Sequence, residues 1–414
     1  MSRSAPCTRE QIQQLDQSDP LAFCRQRFTL PQHKIYLDGN SLGAMPAHVP
    51  ARLEQVLKVE WAEGLINSWN DADWYPAPQR TGARIAGLIG AQGHEVIVAD
   101  STSINLFKVL VAALRMQPSR RVILAENGNF PTDVYIAQGV AELTGCRLQC
   151  VDPEQVLDAL SDQVAILSLT HVNYKTGRRY DMAAITARAH ELGVLVVWDL
   201  CHSAGAMPVE LNAAGADFAV GCGYKYLNGG PGAPAFVFVA ERHIAQLRQP
   251  LTGWHGHAKP FDFSHDYQPH PSLDRMLVGT APQLGVLALE AALEVFDGVD
   301  LQALRSKSLA LSELFIRLCD EQLAGLGVQL QTPRDAQQRG SQVSLSHPQA
   351  YPVMQALIAR GIVGDFRAPD ILRFGFAPLY NRFEDIWSCV DALRDILVSE
   401  AWNQPQFLAR KAVT

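Results

Sequence analysis

The chain has 414 residues, more than one compact core usually holds, so two domains are expected. With 48% hydrophobic and 19% charged residues and a net charge of -7, the composition is that of a globular protein and excludes extensive disorder. No Lys/Arg-dense stripe is present to neutralise a phosphate backbone, which argues against a nucleic-acid partner.

The opening residues, Met1 to Cys7, lack the apolar core of a signal peptide. Residues 1–35 are polar with short amphipathic stretches, and Ile35-Tyr-Leu-Asp38-Gly-Asn40-Ser41-Leu-Gly43 reads as a short strand running into a turn. Residues 49–90 have helical spacing, interrupted by the aromatic stretch Trp69 to Pro76. Apolar strand-like runs then alternate with amphipathic segments. The predicted strands are Val96–Ala99, Arg121–Ala125, Val164–Leu169, Val194–Leu200, Phe218–Gly221 and Ala235–Val239. The predicted helices between them include Asn105–Arg115, Asp133–Leu143 and Met182–Leu192. Continuous Val/Ile/Leu runs of this kind mark strands covered by helices on both faces, as in a mostly parallel α/β sheet.

Residues 60–290 are therefore expected to form a large α/β domain. Helical patterns at 283–297 and 301–322 lead into strands near Val328–Leu330, Gln342–Leu345 and Ile371–Phe376, closed by helices at 350–360 and 383–399. These residues, 291–414, together with 1–59, are expected to make a smaller α+β domain. No apolar run approaches the ~18 residues of a membrane span. The eight cysteines are scattered, and Cys146 and Cys150 have no matching second pair, so free thiols in a reducing cytoplasm are expected and no metal site.

The chemistry concentrates in Val194-Leu-Val-Val-Trp-Asp199-Leu-Cys-His202 and Gly221-Cys-Gly-Tyr224-Lys225-Tyr226. A carboxylate closing one apolar strand and a lysine beyond the next suit pyridoxal 5'-phosphate (PLP). The carboxylate keeps the pyridine nitrogen protonated, so the ring can absorb the electrons of a carbanion. The lysine forms the Schiff base that holds the cofactor and is exchanged for the substrate amine. Asp199 sits at the C-terminal edge of its strand, where open α/β sheets place ligands, although a helix cap would also explain it. The glycines around Lys225 let backbone approach a bulky ligand.

Other candidates line up on the same sheet edge. Thr102 and Ser103 open a helix after a strand, a site for the phosphate as much as plain capping. Phe130 and Asp133 bracket a Pro at a helix start, one able to stack on the pyridine and the other to accept a hydrogen bond from the cofactor. His202 follows Asp199 by one turn, Thr170-His171 ends another strand, and Tyr224 offers a hydroxyl for phosphate or proton relay. For a substrate, Arg373 offers the planar fork that grips a carboxylate, with a surface ion pair as the alternative. The loop Gly253-Trp254-His255-Gly256-His257 combines aromatic surface with imidazoles.

Together these motifs resemble kynureninase, a family of PLP enzymes with the aspartate-aminotransferase-like fold, fold type I. The most specific are Phe-Pro-Thr-Asp at 130–133, Asp-Leu-Cys-His-Ser-Ala-Gly-Ala at 199–206, Gly-Tyr-Lys-Tyr-Leu-Asn-Gly-Gly-Pro-Gly at 223–232 and Gly-Trp-His-Gly-His at 253–257. The resemblance runs from Asn40-Ser41 to Arg373-Phe-Gly-Phe-Ala-Pro-Leu-Tyr-Asn. It implies that Lys225 is the Schiff-base lysine, Asp199 the pyridinium partner and Phe130 the ring-stacking residue. Thr102, Ser103 and Tyr224, with Trp254 and Thr280 of a neighbouring subunit, would surround the phosphate. Asp133, Thr170 and His202 complete the cofactor site. Arg373, with Asn40, Ser41 and His255, would bind substrate.

The implied reaction is hydrolysis of L-kynurenine to anthranilate and L-alanine by a cytoplasmic homodimer with a shared active site. Thr280 and His255, where some relatives carry Asn and an aromatic residue, imply a preference for L-kynurenine over 3-hydroxykynurenine. The rivals are an aminotransferase of the same fold and a catalytically silent PLP-fold protein. A nicotinamide dehydrogenase fails, because no Gly-x-Gly-x-x-Gly follows a strand and opens a helix.

Overall fold

The computed structural model describes residues 8–410, so Cys7 and the opening stretch read against a signal peptide lie outside the described residues. The chain divides into two compact units. One holds residues up to 47, Tyr174–Arg179 and the chain from Val295 onward; the other holds His48–Asn173 and Tyr180–Glu294.

The second unit is built on a seven-stranded sheet. Its spatial order is Val96–Val98, Phe236–Val239, Phe218–Gly221, Leu195–Asp199, Val164–Thr170, Val122–Glu126 and Arg147–Val151. The last five are mutually parallel, while Phe236–Val239 runs antiparallel to both its neighbours. Every residue of the 164–170 and 195–199 strands is buried, which is why they are unbroken apolar runs in the sequence. The helices Thr102–Met116 and Pro131–Thr144 share one buried cluster with this sheet, in which Val109, Leu110, Ala113 and Val140 meet Ile123, Ile166, Val197 and Val220. Truncating a fully buried residue such as Leu110 to Ala would cost about 2–5 kcal/mol.

Six of the seven strands coincide with predicted runs to within a residue or so at each end. The seventh, Arg147–Val151, escapes a pattern reading because it is the half-exposed edge strand and mixes Arg147 and Gln149 with apolar residues. The helical region 49–90 is also more broken than predicted. Val49–Gln55 widens into a π-helical stretch over Val56–Trp61, Trp69 lies inside the short helix Ser68–Asp71, and Ala77–Leu88 resumes the regular pattern.

The first unit carries an antiparallel sheet in the order Asp365–Arg367, Ile371–Gly375, Gln342–Ser346, Gln329–Leu330, with Ile35–Tyr36 and Ile362–Val363 as a separate parallel pair. Helices Arg9–Gln17, Leu301–Gln322, Ala350–Ala359 and Phe383–Val398 cover it. Phe315 packs on Phe374 and Phe376 at ring distances of 5.0 and 5.5 Å. The strands at 362–363 and 365–367 were not foreseen. They are very short, and Asp365 and Arg367 flank Phe366, so no apolar run announces them.

Candidate active site

In the second unit the parallel strands end side by side. Thr170 pairs in register with Asp199, and Asp199 with Val220. Just beyond Asp199 the chain turns, and the Cys201 N–H donates to Asp199 Oδ1 at 2.7 Å, fixing that carboxylate. Asp133 enters from the first turn of its helix. Both carboxylates are buried, and they face each other across this corner. Burial, and then the Asp199 charge, holds the Asp133 carboxyl well above the ordinary carboxylate range.

Asn129, which no motif reading singled out, ties this corner together. Its Oδ1 accepts from the Phe130 N–H at 2.7 Å and from the Thr170 hydroxyl, and its Nδ2 donates to Asp133 Oδ2 at 3.4 Å. Thr170 Oγ1 is also 3.4 Å from Asp133 Oδ2. Its only sequence signal is its place directly before Phe-Pro-Thr-Asp.

Lys225 follows the strand Phe218–Gly221 through a tight turn. A side chain at Gly223 would place its Cβ 2.4 Å from the Pro234 carbonyl oxygen, which is the close approach that position requires. The turn closes with Asn228 N donating to Lys225 O and Gly229 N to Gly223 O, both at 2.9 Å, with Asn228 in the left-handed region (φ 60°). Lys225 Nζ lies 3.0 Å from His202 Nε2, 5.9 Å from the centre of the Phe130 ring and 5.8 Å from that of Tyr224. Phe130 is 42% exposed, an open aromatic face beside the half-buried amine.

Burial lowers the Lys225 amine, but Cys222, Cys201, Tyr224 and Asp199 outweigh it and hold the ammonium above its ordinary value. Burial and then Cys222 push the Tyr224 phenol up to about 12. The Cys201 thiol is held up by its hydrogen bond with Cys222 and by burial. Cys222 is lowered: burial opposes its ionisation, but Cys201 and Lys225 win. Thr102 Oγ1 is 3.7 Å from Cys201 Sγ, so the start of the Thr102–Met116 helix, including Ser103, belongs to the same corner.

Trp254, His255 and Thr280 form a second group. Trp254 stacks on His255 (4.8 Å, 8°), His255 packs on Tyr75 at 5.1 Å, and Trp254 meets Phe261 at 6.2 Å. His255 is 2% exposed, with Nδ1 3.3 Å from the Gly279 carbonyl and Nε2 without a hydrogen bond, whereas Trp254 and Thr280 are exposed. Burial lowers the His255 imidazole, favouring its neutral form.

The third group lies in the first unit. Arg373 is 1% exposed, so the alternative of a surface ion pair is excluded. Its Nε donates to Asp365 Oδ1 at 2.8 Å and its Nη2 to Asp365 Oδ2, a side-on bidentate pair across adjacent strands in which Asp365 and Arg373 are register partners. Nη2 also donates to Ser41 Oγ at 2.8 Å and Nη1 to the Tyr174 carbonyl at 2.7 Å. Asn40 is completely buried against Gly375, where a Cβ would fall 2.0 Å from the Asn40 amide oxygen. Asn40, Ser41 and Arg373 are thus brought together as predicted. Asp365, Arg367 and Asp38 join them unpredicted, and the only hint was two charges flanking Phe366.

A half-buried amine, two buried carboxylates, an aromatic face and a helix start with hydroxyls match the needs of PLP: an aldehyde partner, a partner for the ring nitrogen, a stacking surface and an anion site. Fold and site together define a PLP-dependent enzyme of fold type I. Solved structures agree on the fold. The cysteine desulfurase CsdA of Escherichia coli aligns with a TM-score of 0.76 at 19% identity, covering 92% of this chain and 98% of that one. A C-DES variant described with glycine covalently linked to its PLP cofactor aligns at 0.77 and 17% identity, covering 90% and 99%.

Sequence similarity is more specific. Residues 304–393 match the family model "Kynureninase C-terminal domain". The kynureninases of Burkholderia mallei and Burkholderia pseudomallei are 53% identical, and that of Pseudomonas fluorescens 51%, each over 98% of this chain and 100% of the relative. The chain belongs to the kynureninase family. Among the described residues no helix is long and apolar enough to cross a membrane.

Proposed function

We propose that this chain hydrolyses the Cβ–Cγ bond of L-kynurenine, giving anthranilate and L-alanine, with PLP as cofactor. The observation that carries the reading is the half-buried Lys225 amine, 3.0 Å from His202 Nε2 and facing Asp199 and Asp133, in a chain of the kynureninase family. When bound, PLP supplies an electron sink for the carbanion formed at the substrate α-carbon.

The residues divide that work. Lys225 would hold the cofactor covalently and, when free, would serve as the base for the substrate α-proton. Asp199 would pair with the ring nitrogen, with Asp133 buried beside it. Thr170 and His202 would hold the cofactor's polar groups, and Phe130 would offer it an aromatic face. Thr102, Ser103 and Tyr224, with Trp254 and Thr280 from a second copy of the chain, would hold the phosphate. Arg373, with Asn40 and Ser41, holds the α-carboxylate, and His255 borders the aromatic ring. Water adds to the γ-carbonyl, the Cβ–Cγ bond breaks, and the β-carbon takes a proton to become the alanine methyl group. Tyr224 relays that proton, because its phenol, held near 12, stays protonated at neutral pH.

A homodimer with a shared site fits the exposed apolar residues Trp61, Ile66, Trp254, Phe261 and Phe263 of the second unit. The neutral, enclosed His255 favours plain L-kynurenine over its hydroxylated form. A cytoplasmic location fits the free thiols of the described cysteines. The deciding experiment is incubation of the PLP-loaded protein with L-kynurenine. Anthranilate fluorescence and stoichiometric alanine are expected. A keto acid with no alanine would replace this reading with an aminotransferase, and no turnover at all would replace it with a silent binding protein.

A further inference from the structure

The Arg373 cluster has a charge balance that a substrate carboxylate would upset. Arg373 and Arg367 supply two positive charges, and Asp365 and Asp38 two negative ones. Asp365 is saturated: Arg373 grips both its oxygens, and Oδ2 also accepts from Arg367 Nη2 at 2.6 Å and from the Ser41 hydroxyl at 2.7 Å. Arg367 reaches Ser41 Oγ at 3.3 Å, and its Nε makes no hydrogen bond.

Asp38 is bound in less tightly. With the Asn40 amide turned so that its nitrogen faces Asp38, it donates to Asp38 Oδ1 at 3.2 Å and accepts from Arg373 Nε at 3.1 Å, linking carboxylate to clamp. Of the five N–H groups of Arg373, four are engaged by Asp365, Ser41 and the Tyr174 carbonyl, so an incoming carboxylate has the remaining Nη1 edge. It also adds a third negative charge to a partly buried cluster balanced at two against two. Such an excess is costly unless one carboxyl is neutralised.

We propose that a substrate α-carboxylate binds at Arg373 together with one proton from solvent, which settles on Asp38, so that Asp38 and Asp365 are positioning residues that make carboxylate recognition proton-linked. This rests on the reading of Arg373 as the carboxylate clamp. Asp365 already accepts from four donors, and Asp38 is the carboxyl with fewer. Burial, and then the Asp365 charge, already push the Asp38 carboxyl up to about 7, against the pull of Arg373, Ser41 and Arg367. The other titratable neighbours do not compete near neutrality. Tyr36 is held above the ordinary phenol range by burial and by both carboxylates, with its hydroxyl donating to Leu42 O at 2.8 Å, and the Tyr380 hydroxyl borders Gly39 on the far side of the turn.

The sign follows from linkage. A bound carboxylate raises the Asp38 value further, so binding is tightest below pH 7 and weakens as pH rises through 7 toward the raised value. The probe is 4-(2-aminophenyl)-4-oxobutanoate, the substrate without its α-amine, tested as an inhibitor of the holoenzyme from pH 6 to 9. For the wild type, Ki should rise about 5–10-fold between pH 6.5 and 8.5. In Asp38→Asn that rise should disappear. Calorimetry of the wild type in two buffers of different ionisation heat should show proton uptake near pH 7.5, a measurement that stands even where the variant does not fold. Parallel profiles for wild type and D38N, or no proton uptake, would overturn the linkage. Arg373→Gln separates the two levels: an unchanged Ki there overturns the clamp itself, whereas a raised Ki with no proton uptake in the wild type overturns only the linkage.

Discussion

Two regions of this molecule each set a cation against a pair of aspartates, and they solve the resulting charge problem in opposite ways. Around Lys225, Asp199 and Asp133 outnumber the single cation. Around Arg373, two arginines match two aspartates, and geometry is used up: bidentate bonds fill both oxygens of Asp365. The first cluster has room for one more positive charge, which a protonated ring nitrogen supplies. The second accepts a further negative charge only with a proton. The identity of the cation follows the same division. A lysine can lose its proton and act as base and nucleophile, whereas an arginine stays charged and can only hold.

Lys225→Ala should be the most damaging substitution. Turnover should fall by about 10⁴-fold or more, with the cofactor no longer covalently attached, as read by its visible spectrum and by retention on gel filtration. Retained activity would dissolve the contrast between an acting and a holding cation. Arg373→Lys should keep the charge yet lose the fork, raising KM for L-kynurenine by about 10²-fold with a smaller change in kcat. A fall confined to kcat would place Arg373 in the chemistry rather than in binding.

Tyr224→Phe should slow turnover by about 10-fold while leaving the cofactor's absorbance near normal, since the ring remains and only the hydroxyl is lost. Unchanged turnover would remove Tyr224 from proton relay.

The smallest effect concerns the scaffold beneath the first cluster. Asp217 accepts from the Val196 N–H, Arg242, His243 and His190, and so pins the start of the strand that ends in Asp199. Although burial opposes it, His243, His190 and the Val196 N–H depress the Asp217 carboxyl to about 2. A depressed carboxyl stabilises the fold above its unfolded value near 4 and loses that contribution as pH falls toward 2. Asp217→Asn should therefore cost about 2 kcal/mol at neutral pH and flatten the acid limb of thermal stability between pH 4 and 2. An equally steep acid limb in the variant would assign that stability elsewhere.

Much of the second unit was legible because its sheet is covered on both faces: continuous apolar runs are then forced, and the residue that closes such a run, Asp199, stands out by charge alone. The same logic hid the edge strand Arg147–Val151, which needs no apolar run, and the strand Asp365–Arg367, whose charged residues serve the clamp. Asn129 was invisible for another reason. An amide carries no charge to be explained, and its role lies in joining its own turn, at Phe130 and Asp133, to Thr170, 41 residues further along the chain.

By itself the chain determined the cofactor chemistry, the alternating α/β order and the family, because local pattern and rare residue types record them. The tertiary structure alone decided the electrostatic surroundings of each cluster. The Lys225 ammonium is held above its ordinary value by two thiols, a phenol and a carboxylate, and Arg373 is already gripped by Asp365. Electrostatic sign in a buried site is a sum over neighbours from distant parts of the chain, and no local window of sequence contains that sum.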